Sequence, residues 1–170
     1  MGAMKDLIAY GIVILLSLAG GAYFLPKGST KVLNQNISAT NAFVNTLRDM
    51  ATDFSSVNPT QDFQNISMEE LASKNILPTN ITITGTGSSS SINPPHDTKQ
   101  VVKISDPNSA SATDKGKQYQ IDIDATASKM NADDKQVWED KLKSQFELGG
   151  GKVSNYTSTN ADGRITVTFE

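Results

Sequence analysis

The chain has 170 residues, enough for one domain and an attachment segment. Its formal charge of −3, with 15 basic residues scattered rather than gathered, excludes the basic footprint of a nucleic-acid binder, so no intrinsic nucleic-acid binding is expected. The absence of cysteine excludes disulfide staples, thiolate metal sites and a cysteine nucleophile, so packing must supply the stability.

The first element is the run from Leu7 to Leu25, LIAYGIVILLSLAGGAYFL, which is apolar or small throughout and carries no charge. As a helix rising about 1.5 Å per residue, it is long enough to cross the roughly 30 Å hydrocarbon layer of a bilayer. A cleaved secretory signal would have a shorter apolar core and a more basic start than Lys5 and Asp6 provide. The expected division is therefore a hydrophobic N-terminal helix over residues 1–27, serving as a membrane anchor, and a soluble α+β domain over 28–170. Gly11, Ser17, Ala19, Gly20, Gly21 and Ala22 are small residues that let helices approach closely in an apolar medium. Two adjacent glycines cost about 1 kcal/mol each in a helix interior and a proline about 3 kcal/mol. An interruption between Ser17 and Pro26 is expected on that ground.

Beyond Pro26-Lys27-Gly28 the pattern turns amphipathic. Val32, Leu33, Asn36, Ala39, Thr40, Phe43, Val44, Leu47, Met50, Ala51 and Phe54 recur at helical spacing. Asn34, Gln35, Asn41, Asn45, Arg48, Asp49 and Asp53 occupy the opposite, water-facing side, and Asn58-Pro59 ends the helix. The apolar stripe is expected to bury against a sheet.

Ser67 followed by Glu70 forms a capping-box pattern that opens a short helix from Met68 to about Lys74. Ile81 to Thr84 alternates as a strand, and Gly85 to Ser91 is expected as a flexible loop. Val101 to Ile104 and Tyr119 to Asp124 are two further strands at meander spacing. Asn131 caps a helix with Asp133 and Asp134 in its first turn, where carboxylates suit the positive end of the dipole. Trp138, Leu142 and Phe146 form its narrow apolar face, and Gly149-Gly150-Gly151 stops it. Lys152 to Thr157 and Arg164 to Phe169 close the chain as a hairpin that turns through Asn160 to Gly163.

No constellation of nucleophile, base and orienting group emerges, so neither an enzymatic activity nor a cofactor is expected. His96, the sole histidine, lies in a Pro-rich loop and is expected to be solvated there. Asp122 and Asp124 share a strand face with water, since Ile121 and Ile123 take the buried one. Asp133-Asp134 is read as a helix start rather than a metal site, because a hard cation needs several converging oxygens.

A long N-terminal helix, apolar in its first half and amphipathic in its second, followed by a small antiparallel sheet, resembles the layout of type IV pilins. The late order of strand Gln118 to Asp124, helix Asn131 to Phe146 and closing strands is similar to the type IVb branch. The resemblance implies a structural subunit of an extracellular filament. Its apolar half-helix would sit in the inner membrane before assembly and later pack with other copies in the filament core. Its partners would be further copies and the pilus assembly machinery, and the outward domain would serve adhesion or surface contact. Asp6, Gly11, Ser17, Gly20, Gly21 and Pro26 would be the core-packing residues. Asp6 stands in for the family's glutamate at the fifth mature position if the mature chain begins at Gly2. The family's usual C-terminal disulfide loop is absent, so the closing hairpin must be held by hydrogen bonds and by the helix before it. The rival expectation is a membrane-tethered periplasmic or extracellular binding or adaptor domain of a secretion apparatus, one that never polymerises.

Overall fold

The structure is a computed structural model, and it describes residues 30–156 and 158–170. The apolar run, with Asp6, Gly11, Ser17, Gly20, Gly21 and Pro26, lies outside the described residues, as does the expected break between Ser17 and Pro26. The fold is α+β: among the described residues, three α-helices share one core with a six-stranded antiparallel sheet.

Helix α1 spans Thr30–Val57, about 42 Å at the usual rise. Leu33, Ile37, Ala39, Thr40, Phe43, Val44, Leu47, Met50, Ala51 and Phe54 are all buried, which is the stripe expected from the spacing with Ile37 added and with Val32 and Asn36 only half-buried. Among the described residues no helix is long and apolar enough to cross a membrane, and α1 is too polar on its outer side to do so. Arg48 departs from its expected place in water. Its guanidinium sits 4.3 Å above the centre of the Phe169 ring, where the π face attracts the cation.

Helix α2 (Met68–Ser73) starts where the capping-box pattern put it, with the Ser67 hydroxyl accepting from the Glu70 amide at 3.1 Å. The strands are β1 (Ile83–Thr84), β2 (Ser91–Ile92), β3 (Val101–Ser105), β4 (Tyr119–Asp124), β5 (Lys152–Ser154) and β6 (Arg164–Phe169). Only the second half of the expected 81–84 strand pairs. The segment expected as a flexible loop is instead fastened. The Gly87 amide donates to a Glu69 carboxylate oxygen at 2.6 Å, the buried Ser90 hydroxyl accepts from the Glu69 amide at 3.1 Å, and Ser91 opens β2.

Strand order is β1-β2-β3-β4-β6-β5. Registers Val102↔Ile123, Ile104↔Ile121, Ile121↔Val167, Ile123↔Ile165 and Tyr119↔Phe169 bring the large apolar side chains of the three central strands, Val101 excepted, to one face. The other face carries Lys103, Gln120, Asp122, Asp124, Arg164, Thr166 and Thr168.

Helix α3 (Ala132–Leu148) carries the chain from β4 to β5, and β6 then folds back between those two strands. Its Asn131 side chain caps the Asp134 amide at 2.8 Å, as expected, and Trp138, Leu142 and Phe146 are buried against α1 and the sheet. At the exit from α3 only glycine fits. A Cβ on Gly151 would lie 2.5 Å from Val167 Cγ2 and 2.7 Å from Phe169 Cε1.

The closing hairpin is held by the preceding helix, in keeping with a chain that has no disulfide. Glu139, on the inner side of α3 and fully buried, accepts from the Gly163 amide at 2.7 Å and the Arg164 amide at 3.2 Å. Gln136, a turn away, accepts from the Ala161 amide at 3.2 Å.

Candidate functional site

In the first turns of α1 two polar residues stand on the buried stripe. Asn36 and Thr40 are one helical turn apart, so both side chains face the same way, toward α3 and the loop before β3. Buried polar groups must find partners or cost about 1–3 kcal/mol each. These two find them in two separate parts of the chain, the loop before β3 and α3.

Asn36 is the hub. Its carbonyl oxygen accepts from the Trp138 indole N–H at 3.0 Å and from the Gln100 amide at 3.1 Å, and its own amide donates to Asp97 at 3.3 Å. Asp97 also accepts from the Ser128 hydroxyl at 2.6 Å, in the loop that leads to α3, and from the Lys99 backbone amide at 2.9 Å. Gln100 is fully buried. The Asn93 side chain fixes its backbone carbonyl at 2.6 Å, and its own amide reaches the Thr40 hydroxyl at 3.3 Å. The Thr40 hydroxyl lies 3.0 Å from His96 Nε2, and the imidazole and the Phe43 ring pack in a T-shaped pair with ring centres 6.0 Å apart. The result is a polar clasp that ties the N-terminal half of α1 to a loop and to α3.

His96 is therefore not the solvated histidine that its Pro-rich loop led us to expect. A turn closed by the Asp97 amide on the Pro94 carbonyl, at 3.2 Å, folds the loop back and turns the ring onto α1. Burial holds its pKa below the ordinary value of 6.5, opposed by the Asp97 carboxylate and by the Gln100 side chain. Its Nδ1 is buried without a hydrogen-bond partner.

A hydroxyl beside an imidazole invites comparison with a catalytic triad, in which a carboxylate orients the second ring nitrogen. Here that nitrogen is Nδ1, which has no such partner, and Asp97 is turned toward Ser128 and Asn36 instead. The arrangement holds segments together and does not prime the Thr40 hydroxyl for attack.

Asp122 accepts from the Thr166 hydroxyl at 2.7 Å, and Asp124 pairs with Arg164 at 3.0 Å, both on the open sheet face as expected from the alternation of the strand. Asp133 and Asp134 occupy the first turn of α3. Among the described residues no group of histidine and carboxylate side chains is set to hold a metal ion. A surface depression of about 520 Å³ lies beside the end of α3 and is lined by Asp140, Lys143, Glu147, Leu148 and Tyr156.

Sequence reasoning did not bring His96, Asp97, Gln100 and Ser128 together with α1. One signal was present: Asn36 and Thr40 sit among apolar residues at helical spacing, and such residues require partners. Comparison with known protein families, with characterised proteins and with solved structures returns no match for this chain.

Proposed function

We propose that the chain is a structural subunit of an extracellular, type IV pilus-like filament. It assembles through its apolar N-terminal run and displays the α+β domain outside for adhesion or surface contact. The observation that carries the reading is the junction of two unlike segments. The uncharged run Leu7–Leu25 stands in sequence directly before α1, the longest helix of the domain, which is buried along the sheet and clasped near its start. A rigid helix joined to an apolar segment suits a subunit whose domain must keep a fixed position relative to a packed core.

In this reading the subunit waits in the inner membrane and then enters the filament with the help of assembly machinery. Asp6 offsets the buried N-terminal ammonium, because buried charges need partners. Gly11, Ser17, Gly20, Gly21 and Pro26 line the contacts between neighbouring apolar segments.

Negative-stain microscopy of material sheared from the surface of producing cells, labelled with antibody to the domain, tests the reading. Decorated filaments are expected, and Asp6→Ala should lower their number while leaving the domain folded. Chains found only in the membrane fraction, with no filament, would point instead to the non-polymerising adaptor.

A further inference from the structure

We propose that the clasp is a pH-sensitive fastener, in which protonation of His96 loosens the first turns of α1 from the loop before β3 and from α3. The argument holds for either neutral tautomer of the ring. If Nε2 accepts from Thr40, Nδ1–H is a buried donor without an acceptor, and if Nε2–H donates to Thr40, Nδ1 is a buried acceptor without a donor. The cation is worse placed than either. It must bury a charge and keep an unanswered N–H at Nδ1.

The groups packed against the imidazole are Thr40 and Phe43 of α1 and Gln100 and Asp97 of its own loop, and of these Asp97 is the one that carries charge. Its carboxylate attracts the cation, but its oxygens are already engaged by Ser128, Asn36 and Lys99. Burial outweighs that attraction, so the folded chain holds the His96 proton less tightly than the unfolded chain does. The stabilisation is therefore complete above the unfolded value of 6.5 and is lost as pH falls from there through the folded value. Each pH unit between the two values raises the opening constant of the clasp about tenfold.

The chain carries its own reporters, because Trp138 is its sole tryptophan, His96 its sole histidine, and both belong to the clasp. The experiment uses the full chain in detergent micelles, titrated from pH 7.5 to pH 5. Trp138 emission should shift to the red, with a midpoint equal to that of the His96 ring signals in a nuclear magnetic resonance titration. Amide exchange should quicken over Asn36 to Phe43 and stay unchanged over Leu47 to Phe54. In His96→Gln, which cannot gain the charge, emission should stay flat across the window. If that variant fails to fold, the coincidence of the two midpoints in the unaltered chain still decides the matter. A flat wild-type emission would overturn the proposal, as would an emission midpoint apart from the imidazole midpoint or an unaltered transition in His96→Gln. The test reads the domain alone, so its outcome is separate from whether the chain forms filaments.

Discussion

The two halves of α1 are held to the domain in different ways. From Val44 to Phe54 the buried side chains are Val44, Leu47, Met50, Ala51 and Phe54, and they meet the apolar face of the sheet. That attachment is roughly proportional to area and indifferent to direction. From Leu33 to Thr40 the helix buries Leu33 and Ile37 but also Thr40 and, in part, Asn36, whose hydrogen bonds fix rotation and register. The apolar half supplies adhesion, and the polar half supplies position and sensitivity to protons. On the proposed filament reading, position matters most at the end of α1 that is nearest in sequence to the apolar run.

Substitutions can separate these roles. Leu47→Ala, at a site with no exposure, should cost the most, about 2–5 kcal/mol, through lost contact and the cavity left behind. Thermal or urea unfolding measures the loss, and it should be the same at pH 7.5 and pH 5. Asn36→Leu should come next, at about 2–3 kcal/mol, because it strands the Trp138 N–H and the Gln100 amide in the interior. It should also raise amide exchange in the first half of α1 selectively. A uniform rise along the helix would dissolve the comparison.

Thr40→Val keeps the shape and removes the hydroxyl, for about 1–2 kcal/mol at pH 7.5. Its cost should shrink at lower pH, where the clasp of the unaltered chain is already loosened. Arg164→Ala should be the mildest, at or below about 1 kcal/mol, since its pairs with Asp124 and Asp162 lie half in solvent on the open sheet face. That small loss should fade further in high salt.

Periodic elements were legible in the sequence, and long-range polar pairing was not. The bounds of β4 and the Asn131 cap of α3 followed from alternation and from cap chemistry, both of which act within a few residues. The stripe of α1 was legible because burial repeats with the helical period. Strand β2 was not, because two residues, Ser91 and Ile92, carry no period, and their pairing with β3 was set by residues ten positions further on. His96 was misplaced for a similar reason. Pro94, Pro95 and Asp97 spell a turn, but the face the turn presents to α1 depends on contacts sixty residues apart, such as Thr40 to Gln100. Glu139 offers a milder case. A glutamate within a helix reads as solvated, and only the close approach of Gly163 and Arg164 gives this one its buried donors.

The central claim is that the domain is fixed on α1 while the apolar run packs among copies of itself. A helical reconstruction of sheared filaments at side-chain resolution tests it most directly. The account predicts the Leu7–Leu25 runs of neighbouring subunits in mutual contact at the filament axis, with the Asn36–Trp138 bond intact in every subunit at neutral pH. Filaments joined only through the outer domains, with the apolar runs not in contact with one another, would contradict it.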